Sequence, residues 1–222
     1  MTRSLVVMAK RPAAGATKTR LTPPLTSEQA ANLYACLLLD ALQIARSIPD
    51  IVRYIAFPPA DGQDYFLRLA PDFAPMPQIG AGLGDRLAYV IEEITRRDGG
   101  PVVAMSSDSP TLPAAYVAQA FDVLAQDEAD VVLGPCDDGG YYLIGLVRLQ
   151  PHLLAEVPMS TPHVLRDTLA LAATAGLRAV LLPPWYDVDV ADDLRRLAAD
   201  LAASPPEGAH HTRMFLDRLG PW

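Results

Sequence analysis

Short apolar runs of strand length alternate along the chain with longer segments in which apolar positions recur at helical spacing. This alternation is typical of a largely parallel sheet with helices packed on its faces. The predicted strands span residues 4–8, 52–57, 102–105, 130–133, 141–147 and 178–182. The predicted helices span residues 26–47, 62–69, 84–97, 114–125, 162–175 and 191–202. The pattern therefore predicts an α/β fold.

The ends of the predicted elements indicate one domain. Thr26 or Ser27 can cap the longest helix, because either hydroxyl can accept a bond from a backbone N–H of the first turn. Prolines concentrate at the junctions between elements and no internal repeat is visible, so we expect a single domain over residues 1–222. Its C-terminal tail, 204–222, is predicted to hold a loop and a short helix over 212–219.

Composition and charge narrow the class of protein. Half of the 222 residues are hydrophobic and 20% are charged, which excludes a disordered acidic tail and a coiled coil. A net charge of -8 disfavours binding to nucleic acid or to anionic membranes, because the field of the whole molecule opposes the encounter. With neither a signal peptide nor an apolar run of membrane-spanning length, we expect a cytoplasmic protein. The spacing of Cys36, Cys136 and the four histidines matches no structural zinc motif.

The loop after the first predicted strand is strongly basic. Lys10, Arg11, Lys18 and Arg20 lie within eleven positions, together with Gly15 and several small residues. Ammonium and guanidinium groups on an open loop form a site for phosphates. The alternative is a solvated loop that balances nearby acids, and the segment has neither a P-loop pattern nor a GxGxxG motif. The loop by itself leaves these two interpretations open.

A carboxylate follows the apolar strand at 102–105. Asp108 comes directly after this strand and is followed by Pro110 and a predicted helix. A carboxylate at the carboxyl end of a central strand can hold Mg2+, which takes one or two protein carboxylates together with waters and substrate phosphates. The alternative is that Asp108 or Ser109 serves as a turn or helix-cap residue.

Two glycines precede the predicted strand at 141–147. Gly139 and Gly140 allow the backbone to approach a ligand closely, and Tyr141 begins the strand behind them. Asp137 and Asp138 could accept hydrogen bonds from a base or a sugar hydroxyl, and we take Asp138 as a candidate general base. The alternative is a tight turn, for which Asp-Gly is a common dipeptide.

Two carboxylates alternate in the late segment Tyr186-Asp-Val-Asp-Val-Ala-Asp-Asp-Leu194. Asp189 would cap the helix that follows, with Asp192 and Asp193 in the first turn. Metal contact by Asp189 is compatible with that role, so both interpretations stay open.

Taken together, these stretches resemble the DUF2064 family, also called arsenosugar-biosynthesis-type glycosyltransferases, within the GT-A nucleotide-diphospho-sugar transferases. Five motifs match in order: Lys-Thr-Arg-Leu at 18–21, Gln-Ile-Gly-Ala-Gly-Leu-Gly-Asp-Arg-Leu at 78–87, Ser-Asp-Ser-Pro-Thr-Leu-Pro at 107–113, Asp-Gly-Gly-Tyr-Tyr-Leu-Ile-Gly-Leu at 138–146 and Asp-Val-Asp at 187–189. A broader similarity extends to nucleotidyltransferases of molybdenum-cofactor and coenzyme F420 biosynthesis, which share the basic first loop, the strand-end Asp-x-Pro and a late acidic stretch.

The resemblance implies a GT-A three-layer α/β/α sandwich with a mostly parallel sheet. Residues 1–110 would form the nucleotide-binding half and 111–203 the acceptor half. By motif, Lys18, Arg20 and Gly82 would bind the nucleotide and its phosphates, with Lys10 and Arg11 beside them. Asp108 would be the metal ligand and Asp189 a second one. The chain has Ser-Asp-Ser where many glycosyltransferases have Asp-x-Asp, and Val190-Ala191 where relatives often have Thr-Pro.

The expected function is a metal-dependent transferase with a nucleotide or nucleotide-sugar donor and a small-molecule acceptor. Asp108 and Asp138 are the candidate catalytic residues, and the expected cofactor is Mg2+ or Mn2+. Glycosyl transfer is favoured by the family name, whereas the basic loop suits nucleotidyl transfer equally well. A third alternative is a nucleotide-binding regulatory module without turnover, because the second Asp of Asp-x-Asp is missing. No partner nucleic acid or membrane is expected, and the oligomeric state is left open.

Overall fold

The computed structural model describes residues 2–203 and 208–220, and in this part of the chain seven strands form one sheet. Their order across the sheet is β3-β2-β1-β4-β6-β5-β7. All neighbouring pairs are parallel except those of β6, which runs antiparallel to both β4 and β5. The strands are β1 (Ser4–Met8), β2 (Val52–Phe57), β3 (Ala74–Pro77), β4 (Val102–Ser106), β5 (Val131–Pro135), β6 (Tyr141–Leu146) and β7 (Ala179–Leu181).

The described residues form eight helices, of which the last two follow β7. They are α1 (Ser27–Ser47), α2 (Gln63–Leu69), α3 (Leu83–Asp98), α4 (Ala114–Ala125), α5 (His152–Ala155), α6 (Val164–Thr174), α7 (Ala191–Ala203) and α8 (His210–Leu219). Two 3-10 turns, Thr19–Leu21 and Pro59–Asp61, follow the first loop and β2. Within the same ranges, no helix combines the length and apolar character needed to cross a membrane.

The continuous apolar runs of the central strands explain the layers. Leu5 and Val7 of β1 pack into a cluster with α1, α2 and α4, whereas Val6 packs on the opposite face with α3, α5 and α6. Successive side chains of a strand point to opposite faces, so one buried strand supplies both cores. The three-layer α/β/α prediction is confirmed.

The predicted elements are found with shifts of a few residues, and two elements were missed. The edge strand β3 contains Pro75 and Pro77, which lack the N–H that a ladder needs, and a run with two prolines does not predict a strand. An edge strand tolerates them because it pairs on one side, with β2. The other missed element is the single-turn helix α5, which is shorter than any pattern of period 3.6 can reveal.

Capping of α1 follows the sequence. The Thr26 side chain accepts from the Gln29 N–H at 3.1 Å, and the Gln29 side chain accepts from the Thr26 N–H at 2.8 Å. These reciprocal bonds form a capping box. Of the two candidate caps, Thr26 therefore fills the role.

The tail docks on α1 through a buried carboxylate. The helix predicted over 212–219 is α8 and begins two residues earlier, while part of the predicted loop, 204–207, lies outside the described residues. The Asp40 side chain is on α1, is only 3% exposed and accepts from the N–H groups of His211 and Thr212 at 3.0 and 2.8 Å. A carboxylate at this position satisfies two free amides and opposes the positive end of the helix.

Replacing Asp40 therefore has a predictable cost. We expect Asp40→Ala to lower the free energy of unfolding by about 1 to 3 kcal/mol, because two helix N-terminal amides lose their acceptor. Urea denaturation followed by circular dichroism measures this change. Asp122→Ala, an exposed position on α4, is the control and should change stability little. Equal stability of the two variants would show that α8 docks without the Asp40 cap.

Candidate active site

Three carboxylates meet at the carboxyl end of the central strands. Asp108 follows β4, and Asp187 and Asp189 lie in the extended segment before α7. The Val188 N–H donates to the Asp108 carbonyl at 3.0 Å and joins the two segments. Val188 is fully buried. Because successive side chains of an extended segment point to opposite sides, the carboxylates of Asp187 and Asp189 point away from the Val188 side chain. We refer to Asp108, Asp187 and Asp189 as the acid cluster.

Lys18 lies between two members of the acid cluster. Its Nζ is 2.9 Å from Asp108 Oδ1 and 2.6 Å from Asp189 Oδ1, and its side chain is 7% exposed. The contact with Asp189 is a directed hydrogen bond, whereas Asp108 Oδ1 is buried without a hydrogen bond of regular geometry. Burial acts to lower the pKa of Lys18, but Asp108 and Asp189 outweigh it and raise the pKa above its usual range. The ammonium is therefore charged.

The backbone of Lys18 is in an uncommon conformation. Its φ of 51° and ψ of 38° lie in the left-handed region, which costs a residue with a Cβ about 1 kcal/mol or more. Thr17, next to it, is buried, and its hydroxyl bonds to Ala13 in the same loop. A strained residue that the surrounding structure holds in place is typical of a functional position. Both lysines of the chain, Lys10 and Lys18, lie in this loop.

Asp189 is surrounded by positive charge. Burial acts to raise its pKa, but Lys18, and then Arg20 and Lys10, lower the pKa below its usual value. The capping role that the sequence left open falls to Asp193, whose Oδ2 accepts from the N–H groups of Asp189 and Val190, both at 2.8 Å. The Asp189 carboxylate is therefore available to the site.

Asp187 is the member of the acid cluster that sequence reasoning did not single out. It accepts hydrogen bonds from the hydroxyls of Ser109 and, at 3.3 Å, Ser106. Ser106 Oγ also accepts from the Asp108 N–H at 2.9 Å. Burial first, and then the charge of Asp108, raise the pKa of Asp187 well above its usual range. The Asp-x-Asp alternation was the available signal, since it places Asp187 and Asp189 on the same side of an extended segment.

Tyr34 joins the first loop to the end of β4. Its hydroxyl accepts from the Lys10 N–H at 2.9 Å and lies 3.0 Å from Ser107 Oγ, which it can donate to. Burial and the charge of Asp108 raise the pKa of Tyr34 to about 12, so the hydroxyl keeps its proton. The sequence pattern indicated Tyr34 only as an apolar position of the helix α1 and not as a site residue.

The other predicted nucleotide contacts lie around this centre. The Arg11 N–H donates to Asp61 at 2.7 Å, and its guanidinium lies over the ring of Tyr65, 5.2 Å from the ring centre. Arg11 thus packs against α2, whereas Lys10, Lys18 and Arg20 act on Asp189. Gly82 caps α3, and its N–H donates to the Asp85 carboxylate at 3.1 Å.

A cavity of about 520 Å3 opens beside the acid cluster. Asp187, Asp189 and Arg20 line one part of it. Of the predicted pocket residues, Asp138, Gly140 and Tyr141 also line it. Asp138 Oδ1 accepts from the Gly140 N–H at 2.9 Å. The neighbouring Asp137 forms an ion pair with Arg196 on α7.

The paired glycines have different surroundings. Gly139 has a φ of 87°, and a Cβ built on it would lie 2.1 Å from the carbonyl oxygen of Pro162. Gly140 has no positive φ, and a Cβ there would first meet Asp138 Oδ1 at 3.1 Å. The structure therefore places Gly140 on the cavity and Gly139 against the backbone of the segment before α6.

Alanine at the two positions should separate strain from interference with a ligand. We expect Gly139→Ala to lower the melting temperature by about 5 °C or more, because it combines a left-handed backbone with a steric clash. Gly140→Ala should change the melting temperature of the free protein much less and weaken substrate binding. Thermal unfolding with and without donor measures both effects. A large loss of stability in Gly140→Ala, with a normal donor-induced shift, would reduce this motif to a turn.

Two members of the acid cluster, Asp108 and Asp189, fit a divalent metal that binds together with phosphates. Asp108 Oδ1 and Asp189 Oδ1 already converge on one cation, the Lys18 ammonium, and Asp108 Oδ1 is a buried oxygen without a regular hydrogen bond. Among the residues that the structure describes, no group of three or more His, Cys, Asp or Glu side chains is arranged to hold a metal. Two carboxylates are nevertheless a usual protein contribution for Mg2+ when phosphates and waters supply the other ligands.

Solved structures of other proteins share this architecture. A candidate nucleotide-diphospho-sugar transferase from Desulfovibrio desulfuricans G20 is 29% identical, with 93% of this chain and 90% of that chain covered and a TM-score of 0.86. CMP:2-keto-3-deoxy-manno-octonic acid synthetase complexed with CTP is 12% identical, with 91% and 99% covered and a TM-score of 0.54. Rv0371C of Mycobacterium tuberculosis H37Rv, complexed with manganese, is 20% identical, with 89% and 98% covered and a TM-score of 0.53. The last two show the shared fold alone.

The family comparison covers the middle of the chain. A comparison with curated proteins gives no match. Residues 41–161 match the family described as "Uncharacterized protein conserved in bacteria (DUF2064)", a segment that includes Asp108 and the paired glycines. This segment is more than half of the 222 residues. The chain therefore belongs to the DUF2064 family and has the nucleotide-diphospho-sugar transferase fold.

Proposed function

We propose that the chain is a metal-dependent transferase that moves a sugar from a nucleotide-sugar donor to a small acceptor. The observation that carries this proposal is Lys18, a buried ammonium between the carboxylates of Asp108 and Asp189, the second of which lines the cavity. Ligands of open α/β sheets bind outside the carboxyl ends of the strands, where these residues lie. The similarity to a candidate nucleotide-diphospho-sugar transferase supports a transferase that uses nucleotides.

The donor phosphates would lie against the first loop. Lys10, Lys18 and Arg20 are the cations that act on Asp189, so they provide positive charge on one side of the acid cluster. A guanidinium offers two parallel donors to a phosphate, and an ammonium offers a compact charge. Tyr34 holds the backbone of this loop at Lys10 and would keep it in register with the strand-end loop of Asp108. The base would lie over the same loop.

Asp108 and Asp189 would hold Mg2+ or Mn2+. When bound, such a cation supplies positive charge that stabilises the developing charge of the diphosphate leaving group. Asp187 would act on the position of Asp108 through Ser106, whose hydroxyl contacts both residues. Lys18 lies between these carboxylates in the structure and would turn toward the donor phosphates when the carboxylates hold a cation. Together with Arg20 it would supply further positive charge to the leaving group, and no covalent intermediate with the protein is required.

The acceptor would occupy the cavity. Asp138 lines the cavity and is the candidate base for the acceptor hydroxyl. The acceptor oxygen would form a bond to the anomeric carbon while the bond from that carbon to the phosphate oxygen breaks. The nucleoside diphosphate leaves and the hydroxyl proton passes to Asp138. Positioning and charge neutralisation are then the main contributions of the protein.

Nucleotidyl transfer is the second candidate function. The fold shared with a synthetase complexed with CTP favours it, because the same loop could hold a triphosphate. In that reaction the acceptor oxygen attacks the α-phosphorus and pyrophosphate leaves.

Product analysis distinguishes these functions. The purified chain, with Mg2+ or Mn2+, is incubated with nucleoside triphosphates or nucleotide sugars and a panel of acceptors. Acceptor-dependent release of nucleoside diphosphate supports glycosyl transfer, and release of pyrophosphate supports nucleotidyl transfer. Nucleotide binding without either product across the panel would favour a regulatory module instead. The Asp108→Asn protein is the background control for contaminating enzymes.

A further inference from the structure

The cavity beside the acid cluster is lined mainly by apolar side chains. Its floor is one face of the sheet, where Met8, Ala104 and Ile144 lie on the neighbouring strands β1, β4 and β6. Ala104 and Ile144 are direct cross-strand partners. The walls come from α3, from the start of β6 and from the segment that leads into α6, with Leu83, Leu87, Tyr141, Met159, Pro162 and Val164 as the apolar lining residues. A molecule that fills this space is therefore in contact with methyl, methylene and aromatic groups.

Apart from tyrosine, the ionisable groups that line the cavity are few. They are one guanidinium and three carboxylates, Arg20, Asp138, Asp187 and Asp189. The adjacent Lys18 is balanced by Asp108 and Asp189. An anionic acceptor would lose hydration against the apolar walls, and Arg20 is the cation among the lining residues that could offset this loss. The loss of hydration opposes its binding.

We infer that the acceptor is an uncharged molecule with an apolar body and a hydroxyl group, and not a phosphorylated or carboxylated compound. This inference rests on the proposed function, because it assigns the cavity to the acceptor. The apolar body lies on Met8, Ala104 and Ile144, and the hydroxyl is placed toward Asp138 and the acid cluster. Burial of apolar area supplies the affinity, and the carboxylates supply the proton acceptor.

The affinity of the cavity should depend on the length of the apolar chain that it binds. Burial of one methylene contributes about 0.8 kcal/mol, which is about a fourfold change in the dissociation constant. A homologous series of neutral alcohols should therefore bind with affinity that rises about fourfold per methylene until the cavity is filled. An alkyl phosphate of equal length should bind the cavity at least tenfold more weakly than the alcohol.

The test uses NMR titration of the full chain, which reports weak binding and its location. The probes are butan-1-ol, pentan-1-ol, hexan-1-ol and hexyl phosphate, added with Mg2+ and inorganic pyrophosphate so that the first loop is occupied. We expect chemical-shift changes at Gly140, Tyr141 and Ile144, with the predicted gain per methylene. Affinity that is independent of chain length, or hexyl phosphate that binds these residues as tightly as hexan-1-ol, overturns the inference.

Two matched leucines provide the control. Leu83 lines the cavity and is 49% exposed, whereas Leu181 on β7 is 48% exposed and lies outside its lining. Leu83→Asn should weaken hexan-1-ol binding at least threefold, and Leu181→Asn should not change it. Equal effects of the two variants would overturn the inference. If pyrophosphate causes no chemical-shift change at Lys10, Lys18 or Arg20, the result instead contradicts the proposed function. The alcohol series without pyrophosphate then still tests the cavity.

Discussion

Asp108→Asn is expected to lower metal-dependent turnover about a thousandfold, while the protein remains folded. An amide keeps the size of the side chain but lacks the charge that holds a divalent cation. Loss of the stabilisation that a bound metal gives to the transition state, about 4 kcal/mol, corresponds to three orders of magnitude in rate. The Asp108 side chain is about one-third exposed, so its replacement does not remove a core contact.

Turnover is measured as a function of Mg2+ concentration. Thermal unfolding of the same samples reports their stability. The apparent metal affinity should fall together with the maximal rate. Asp72→Asn is the control, because Asp72 also pairs with a basic side chain, Arg46, but lies outside the acid cluster. A large loss of stability with unchanged activity per folded molecule would assign Asp108 to the turn or capping role.

Lys18→Met is expected to weaken nucleotide binding about tenfold to a hundredfold. A charge-assisted hydrogen bond to a phosphate contributes about 1.5 to 3 kcal/mol, and methionine retains the length and apolar stem of lysine without the charge. Titration with a nucleotide and with the corresponding nucleoside measures the contribution of the phosphates. The loss should be confined to the nucleotide. If both proteins bind the nucleotide equally well, the first loop does not bind the phosphates.

The same variant should also be less stable at neutral pH. Lys18 is buried, so its removal leaves two carboxylates without their cation, at a cost of about 1 to 3 kcal/mol once the partial exposure of Asp108 and Asp189 is taken into account. Lys18 lowers the pKa of Asp189, so the stability that this pair contributes is complete above the unfolded-state pKa of about 3.8. It is lost as the pH falls through the lower folded-state pKa.

Urea denaturation at pH 7 and at pH 3 measures this dependence of stability on pH. The difference between the parent protein and Lys18→Met should be largest at pH 7 and should narrow at pH 3. Arg46→Met is the control, because its ion pair with Asp72 is more exposed than that of Lys18, so its difference from the parent protein should be smaller at pH 7. A difference that grows at low pH would show that Lys18 stabilises the fold by packing and not through the carboxylates.

The sequence by itself determined most of the fold, because the spacing of its apolar residues reflects which positions the core buries. Short apolar runs place β1 and β2 with the observed bounds, and the apolar spacing of three and four residues places α1 and α4. The sequence did not reveal β3, since an edge strand with two prolines is held by its pairing with β2 and not by its own propensity. The antiparallel direction of β6 was also not visible, because the pattern of a buried strand is the same in either direction.

The sequence also located the chemistry at the ends of strands, where Lys18, Asp108 and Asp189 were each candidates for contact with phosphate or metal. Their partners were decided by tertiary structure, because positions 18, 108 and 189 are distant in sequence and meet only when β1 and β4 are adjacent. For the same reason, the Arg11 guanidinium packed on Tyr65, and Asp187 joined the acid cluster. The local pattern of the sequence shows which residue types are present at each position. The burial of a residue and the charges around it depend on segments that are far apart in the chain and meet only in the packed sheet.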